Sequence, residues 1–477
     1  MPDTPDTPRQ QLVERSLASL KPYARNARTH SKQQVAQIAR SIERFGFTNP
    51  VLVSDDGQIV AGHGRVEAAR LLGLETVPTL ALSHLSETER RAYVLADNKL
   101  AANAGWDRDL LALELGALVD LDFDVELTGF SLAETDLILD GVREADPDAA
   151  IGREDEPVPL AAEAVTRTGD LWELGRHRLI CGDARSAEDY QRLLGNERAH
   201  LVFTDPPYNV AVDGHVCGNG SVRHREFAMA AGEMSESEFT RFLSTTLGHM
   251  AASCRDGAIA FVCMDWRHMG ELLQAGGEAG FSELKNLVVW NKTNAGMGTF
   301  YRSKHELIFV YKVGTAPHTN SFGLGETGRY RTNVWDHAGI SSLGAARDAE
   351  LAMHPTVKPA ALVADAIRDC SRRGEIVLDA FGGSDTTLIA AESVGRAGRL
   401  IEYDPLYCDT IVRRWERVTG KRATLVDGGA TLEQLAKERG VAAALQEPCS
   451  PELRGKPKPK PKTKRQARAS TISEVIS

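Results

Sequence analysis

The sequence predicts an α/β fold in more than one domain, and two patterns carry that expectation. From about Gly169 to Gly440, short apolar runs alternate with helical segments, the pattern of a parallel sheet covered by helices. Ahead of it, Leu20 to Leu118 holds a second, smaller set of helix and strand signals. At 477 residues the chain is also too long for one ordinary domain. Hydrophobic residues make up 42% and charged residues 26%, a balance that excludes a wholly disordered chain, a collagen or a coiled-coil rod.

In the first segment, Val35, Ile38, Ile42 and Phe45 recur at helical spacing. Pro50 to Val53 and Gln58 to Val60 flank Asp55-Asp56-Gly57, which predicts a hairpin. Gly62-His63-Gly64-Arg65 then feeds a helix over Val66 to Leu72, stopped by Gly73. Such a turn offers backbone N–H groups to an anion, although a tight structural turn uses the same residues. Arg143 to Glu156 carries six acids and two arginines around Pro147, the composition of a solvated linker. In the second segment the expected strands are His177–Cys181, Ala199–Thr204, Ala258–Met264, Leu284–Trp290, Glu306–Lys312, Glu375–Asp379 and Arg399–Glu402. After Pro448 the chain alternates Pro and Lys and lacks the apolar residues of a core.

Charge and cysteine usage narrow the classes of partner. The net charge is −10, yet seven Lys or Arg and no acid lie between Gly455 and Arg468, leaving −17 on the rest. An acidic body does not exclude nucleic acid, because local patches set the field a polyanion meets. The seven cysteines form no Cys-x-x-Cys pair, so a reducing compartment without disulfides or structural zinc is expected. His215, Cys217 and His224 lack a fourth ligand, and no metal is expected there. No apolar stretch approaches the roughly 20 residues that cross a bilayer, so no membrane partner is expected. Met1 to Arg9 has none of the apolar core of an export signal, which gives a cytoplasmic expectation.

The strongest chemical signal is Thr204-Asp205-Pro206-Pro207-Tyr208-Asn209, directly after Leu201-Val202-Phe203. It falls at the carboxyl end of an expected strand, where open α/β sheets bind ligands. The exocyclic nitrogen of adenine is a poor nucleophile because its lone pair is delocalised into the ring. Two acceptors on its two N–H groups would draw it toward a tetrahedral, reactive shape. Asp205 and the Pro206 carbonyl supply two acceptors, and Tyr208 can stack on a base that has left the duplex. Alone, an Asp-Pro-Pro turn could merely end a strand. Further along, Glu375 to Asp379 leads into Ala380-Phe381-Gly382-Gly383-Ser384-Asp385 and a helix from Thr386 through Glu392. The next strand ends in Glu402-Tyr403-Asp404. A glycine turn after one strand and an acid after the next is how nucleotide-like ligands are held.

Asp-Pro-Pro-Tyr, then His354-Pro-Thr356-x-Lys358-Pro, then Asp379-x-Phe381-x-Gly383, in that order, resembles the β-class amino-methyltransferases of DNA. The resemblance covers about Gly169 to Leu435. It implies a permuted Rossmann-like sheet, S-adenosylmethionine as cofactor and double-stranded DNA as substrate. It places Asp205, Pro206, Pro207 and Tyr208 at the target base as the catalytic set. It places Asp379, Phe381 and Gly383 around the methionine part of the cofactor, Glu402 on the ribose and Asp183 toward the adenine. His354, Thr356 and Lys358 would close the methionine end. Their neighbours Ser384, Thr386 and Asp404 complete the expected cofactor contacts. Family members usually show Phe-x-Gly-x-Gly; Asp385 at the last position is expected to bring a negative charge near the cofactor's carboxylate. Asp as the first motif residue resembles the adenine-N6 members more than the cytosine-N4 members, which more often show Ser. Cytosine N4 is the alternative, and a DNA-binding regulator with an inactive methyltransferase domain is another. Carbon-5 transfer needs a cysteine nucleophile, and the one Pro-Cys pair, Pro448-Cys449, adjoins the Lys-Pro tail.

Between about 210 and 350, Asn291, Lys292, Tyr301, Arg302, Lys304, Arg329 and Arg331 are of the types that reach base edges and phosphates, and they are the expected DNA contacts. Over Leu20 to Leu118 the pieces Leu20-Lys-Pro-Tyr-Ala-Arg-Asn26, Gly62-His-Gly-Arg65 and Ala96-Asp-Asn-Lys99 resemble the ParB/sulfiredoxin-like domain. No cysteine precedes Cys181, which excludes sulfiredoxin chemistry. The ParB resemblance implies DNA contact through Arg65 and a nucleotide at the same turn; a homodimer is a separate expectation. The expected domains are therefore a ParB-like unit over 15–120, a helical, acidic linker over 121–165, a methyltransferase domain over 166–440 and a disordered basic tail over 441–477.

Overall fold

The computed structural model describes residues 11–121, 123–145, 158, 160–210, 230–292, 300–322, 331–337, 358–383 and 385–441. Two sheets organise them.

The smaller sheet comprises β1 (Leu12–Ser16), β2 (Val51–Val53), β3 (Ile59–Ala61) and β4 (Thr76–Ala81), in the order β1-β4-β2-β3. Helices α1 (Lys32–Phe45), α2 (His63–Leu71) and α3 (Glu87–Ala102) accompany it. The sequence signals explain the boundaries. The Ser31 hydroxyl accepts from the Gln34 N–H at 3.1 Å to start α1, and Gly46 at φ 79° ends it. The expected hairpin is β2–β3. Its Gly57 takes φ 81°, and a Cβ there would lie 2.8 Å from the Ser19 carbonyl, so only glycine fits.

Two more helices, α4 (Arg108–Asp120) and α5 (Leu132–Ala145), lead toward the larger sheet. They do more than span a gap. Asp136 of α5 is 3% exposed, and its carboxylate accepts from Arg396 Nη1 at 3.1 Å, Arg396 Nη2 at 3.0 Å and Arg373 Nε at 2.9 Å. Glu126, in the turn before α5, lies 3.4 Å from Arg372 and 3.7 Å from Arg40 of α1.

The larger sheet has ten strands: β5 (Leu171–Leu174), β6 (His177–Cys181), β7 (Ala199–Thr204), β8 (Cys254–Met264), β9 (Phe281–Asn291), β10 (His305–Val313), β11 (Val334–Asp336), β12 (Ile376–Asp379), β13 (Ala397–Glu402) and β14 (Thr424–Leu425). Their order is β11-β9-β10-β8-β7-β12-β13-β6-β5-β14. The helices between them are α6 (Ala187–Leu194), α7 (Glu236–Ser253), α8 (Met269–Glu278), α9 (Ala360–Cys370), α10 (Thr386–Ser393), α11 (Pro405–Thr419) and α12 (Leu432–Glu438). The strands β8, β7, β12, β13 and β6 are parallel. Late strands β12 and β13 thus slot between early strands β6 and β7, the permuted Rossmann-like arrangement.

The expected parallel sheet is found in those five strands, and antiparallel strands extend it at both ends. β10 runs antiparallel to both β8 and β9, and β5 and β14 add antiparallel pairs at the other end. A strand buried on both faces reads as a continuous apolar run whichever way it points, so composition did not reveal direction. One apolar cluster, including Phe239, Leu243 and Phe309, covers one face; another, including Phe203, Trp290 and Ile367, covers the opposite face. Among the described residues no helix is long and apolar enough to cross a membrane.

Candidate active site

Four neighbouring parallel strands each end in an acid or within two residues of one. In sheet order β7, β12, β13 and β6 deliver Asp205, Asp379, Glu402 and Asp183 to one edge. Adjacent strands lie about 4.8 Å apart, so the row spans roughly 14 Å along the carboxyl edge, the place where open α/β sheets bind ligands.

At the β7 end the chain turns sharply. Asn209 takes φ 54°, and its side chain accepts from the Gly232 and Met234 N–H groups at 3.1 and 3.2 Å while donating to the Met234 carbonyl at 2.8 Å. That clamp fixes the Asp-Pro-Pro-Tyr segment from behind. The Tyr208 hydroxyl donates to Asp205 Oδ1 at 2.6 Å. The other carboxylate oxygen accepts from Lys358 Nζ at 2.5 Å, and the same ammonium donates to the Tyr208 oxygen at 3.3 Å. It also lies 3.0 Å from Glu306 Oε2, and Glu306 Oε1 pairs with Lys292. Two acids and two lysines therefore alternate from Asp205 to Lys292. Lys358 is 5% exposed, whereas Asp205 keeps about a fifth of its side chain (21%) open. Burial raises the Asp205 carboxyl above its usual range against the pull of Lys358. Burial pushes Glu306 up too, but Lys358 and Lys292 outweigh it and hold the acid at about 2. Burial alone would lower Lys358; the two carboxylates keep it above its ordinary value.

Beside this group, Asp379 Oδ1 accepts from Thr204 Oγ1 at 2.8 Å and from the Phe381 N–H at 3.0 Å, and Oδ2 accepts from Thr387 Oγ1 at 2.6 Å. The first bond ties β7 to β12, whose Val377 and Leu378 stand opposite Leu201 and Val202. The turns carrying Asp205 and Phe381 consequently leave neighbouring strand ends on the same edge. Glu402 Oε2 accepts from the Gly383 N–H at 2.7 Å and Oε1 from the Asp404 N–H at 2.8 Å. Burial pushes Asp379 and Glu402 each to about 7. Asp404 Oδ1 accepts from the Leu406 N–H at 3.0 Å and caps α11. The Thr386 hydroxyl donates to the Lys358 carbonyl at 3.3 Å, joining the two halves of the edge. Asp183 accepts from Arg185 Nε at 3.0 Å and Nη2 at 2.7 Å, which holds its carboxyl below the usual value although burial works the other way.

Several expectations are corrected. Lys358 directs its ammonium to Asp205 and Glu306, beside the carboxylate of the Asp-Pro-Pro-Tyr turn, rather than into the glycine loop. Asp385 does not face the loop's open side: it is fully buried at φ 70° and ion-paired with Arg414 of α11, itself 1% exposed. The two residues lie 29 positions apart, on different elements, so sequence spacing gave no hint of the pairing. Three expected DNA contacts are used internally. Asn291 donates to Asp336 at 2.6 Å; Lys292 pairs with Glu306 and lies 4.5 Å from the Trp290 ring centroid; Arg331 binds Asp365 at 2.8 Å and Asp369 at 3.1 Å over Trp335. Tyr301 and Lys304 are exposed, as is Arg302, and Tyr301 (85%) leans on Phe300 (87%) with centroids 4.5 Å apart. Arg65 is half-buried, donating to the Asn49 carbonyl at 3.2 Å. Ser384, His354, Thr356 and Arg329 lie outside the described residues, as do His215, Cys217 and His224. Glu306 was missed as a site residue; an acid opening an otherwise apolar strand was the available signal.

A permuted sheet with acids lined along its carboxyl edge defines a class, the Rossmann-like methyltransferases. Residues 199–413 match the model of the N6/N4 DNA methylase family, described as DNA methylase, and residues 2–99 match a ParB N-terminal domain. The family is S-adenosylmethionine-dependent and acts on DNA. Residues 109–168, which include the stretch read from sequence as a linker, match a ParB-methyltransferase HTH domain. Among curated relatives, the ParB-like nuclease domain-containing protein YnaK of Escherichia coli is 52% identical over 80 residues, 17% of this chain and 92% of that protein. The Type II methyltransferase M2.MboI of Moraxella bovis is 21% identical over 238 residues, 48% of this chain and 85% of that one. Among solved structures, the cytosine-N4-specific PvuII DNA methyltransferase shares 16% identity with a TM-score of 0.41, covering 60% of this chain and 97% of that one.

Proposed function

We propose that the protein transfers a methyl group from S-adenosylmethionine to the N6 amino group of adenine in DNA. The observation that carries this reading is the row Asp205, Asp379, Glu402, Asp183 on consecutive parallel strand ends, with the Asp-Pro-Pro-Tyr turn at one end of it.

The residues present suit the cofactor. Each Glu402 oxygen takes one backbone N–H and keeps a lone pair for a ribose hydroxyl. Asp379, buried and pushed to about 7, is the acid an ammonium would return to its ionised form. Asp183 stands at the far end for the adenine, and Phe381 with Gly383 forms the wall between. When bound, the cofactor supplies an electrophilic methyl on a sulfonium.

The rest is the work of this chain's own groups. The Asp205 carboxylate and the Pro206 carbonyl accept the two N–H bonds of the extruded amine, which localises the nitrogen lone pair. The rings of Pro206 and Pro207 fix φ near −65° at both residues, which holds the Pro206 carbonyl in one direction. Tyr208, tethered to Asp205, offers its ring to the base, and stacking contributes about 1–3 kcal/mol per base. Formation of the nitrogen–methyl bond breaks the methyl–sulfur bond and leaves a neutral thioether, and the cationic methylated amine then gives its proton to solvent. Tyr301, Arg302 and Lys304, at the start of the turn into β10, face the DNA in this reading. The ParB-like unit adds a second contact through Arg65.

Digestion of DNA from cells with and without the protein, followed by mass measurement of nucleosides, tests the reading. N6-methyldeoxyadenosine is expected, and Asp205→Ala should abolish it while leaving the melting curve nearly unchanged. N4-methyldeoxycytidine would replace the adenine reading with its sister reaction. Full activity of the Asp205→Ala variant would overturn the site.

A further inference from the structure

We propose that Lys358 occupies, in the free enzyme, the position the target amine must take on Asp205, and that Glu306 is the seat to which its ammonium withdraws when the base enters. This inference rests on the methyl-transfer reading of the site and deepens it.

Three observations carry it. The ammonium sits where a base amine would: it donates to Asp205 Oδ2 at 2.5 Å and lies 5.6 Å from the centroid of the Tyr208 ring that is to stack on the base. The other Asp205 oxygen is already taken by the Tyr208 hydroxyl, so an amine arriving beside the Pro206 carbonyl meets the lysine first. Next to it, Glu306 Oε2 is a buried oxygen already ion-paired with Lys358 Nζ at 3.0 Å, yet not aligned for a full hydrogen bond while the ammonium donates to Asp205. Its partner oxygen is occupied by Lys292, itself laid over Trp290. Glu306 thus already holds the lysine by charge, and a small side-chain rotation would complete the hydrogen bond.

The arrangement has a chemical rationale. A buried carboxylate without a counter-ion would protonate, and a protonated Asp205 would donate where the amine also donates. The lysine keeps Asp205 an acceptor until the base arrives. While it is an ammonium it has no lone pair and cannot take the methyl group itself. Moving it to Glu306 keeps the positive charge close by, so Asp205 remains ionised after the exchange. Glu306 is therefore a positioning residue acting through Lys358.

The test is a double-mutant cycle on the full chain, read as the single-turnover methylation rate at saturating DNA and S-adenosylmethionine. Glu306→Gln should slow transfer tenfold or more, because the lysine loses its alternative partner. In a Lys358→Met background, the same change should cost less than twofold. An equal loss from Glu306→Gln with and without the lysine would overturn the proposal. If Glu306→Gln does not fold, the cycle is run with Glu306→Asp, which keeps the charge on a shorter arm. A second readout places 2-aminopurine at the target position; lacking a 6-amino group, it need not displace the lysine. Its extrusion fluorescence should be unchanged in Glu306→Gln, and a loss parallel to the rate would mark general pocket damage and overturn the assignment. The cycle is read on whichever base carries the methyl. A cytosine product would therefore overturn the adenine reading while leaving this one to stand or fall on its own.

Discussion

Asp385 permits a stability measurement that separates two views of the glycine loop. In the structure its carboxylate is wholly buried against Arg414, and its backbone sits at φ 70°. Replacing it by glycine, the residue usual at this position in the family it resembles, has two opposed effects. Relief of left-handed backbone strain gains about 1–2 kcal/mol. Leaving a buried arginine without its acid costs about 3–5 kcal/mol. Arg414 is 1% exposed and cannot reach water without disturbing α11, so the second effect wins by roughly 3 kcal/mol. For a domain of this size that lowers the melting temperature by about 6–12 °C. Adding Arg414→Leu should recover most of the loss, since apolar replacement of a buried pair is often neutral or stabilising by about 1–4 kcal/mol. Thermal melts of the wild type, the single and the double variant read this directly, and calorimetry should show the double variant still binding S-adenosylmethionine. A single variant as stable as wild type, with tighter cofactor binding, would refute the reasoning and put the carboxylate back in the ligand cavity.

Other outcomes follow from the same geometry. Asp379 and Glu402 are raised to about 7, and a ligand that brings an ammonium and ribose hydroxyls favours their ionised forms. Cofactor affinity should therefore fall as pH drops below about 7, by up to tenfold per unit for each group, with proton release on binding near neutrality in calorimetry. The same upward shifts mean the ligand-free protein loses stability as pH rises from about 4 to about 7; a melting temperature that climbs over that window would contradict them. Asp136→Ala strands the fully buried Arg396 and should destabilise the chain by about 3–5 kcal/mol in denaturant melts. Lys304→Ala should weaken DNA binding evenly across sequences and reduce the slope of log affinity against log salt by about 1. Arg331→Ala should leave that slope unchanged and lower the melting temperature, because its guanidinium is held by Asp365 and Asp369.

What the sequence disclosed, it disclosed through short-range chemistry. Leu201-Val202-Phe203 before Asp-Pro-Pro-Tyr, and Ile376–Asp379 before a glycine turn, are strand ends that need no distant partner to be read. The turns it named were equally local: Asp55-Asp56-Gly57 joins β2 to β3, and Gly62 directly precedes the helix that begins at His63. What escaped depends on pairs far apart in the chain. Lys358 meets Asp205 across 153 positions, and Arg396 meets Asp136 across 260. Residue type misled where a cation served the interior. Lys292 and Arg331 look like phosphate contacts by composition, yet each lies over a tryptophan and is neutralised by an acid. The direction of β10 was hidden for another reason, since a doubly buried strand carries no polarity in its pattern.

The junction made by Asp136 and Glu126 bears on how the protein measures its substrate. A freely swinging tether would let the leading module and the methyl-transfer pocket engage DNA at many separations. Here Arg396, Arg373 and Arg372, which flank the strand ending in Asp379, grip the helical segment that follows the leading module. Relative rotation would first have to expose a desolvated guanidinium. The two halves are thereby gauged to each other like the jaws of a calliper, and under the proposed function the number of base pairs between the contact made by one and the base altered by the other would be a property of the fold.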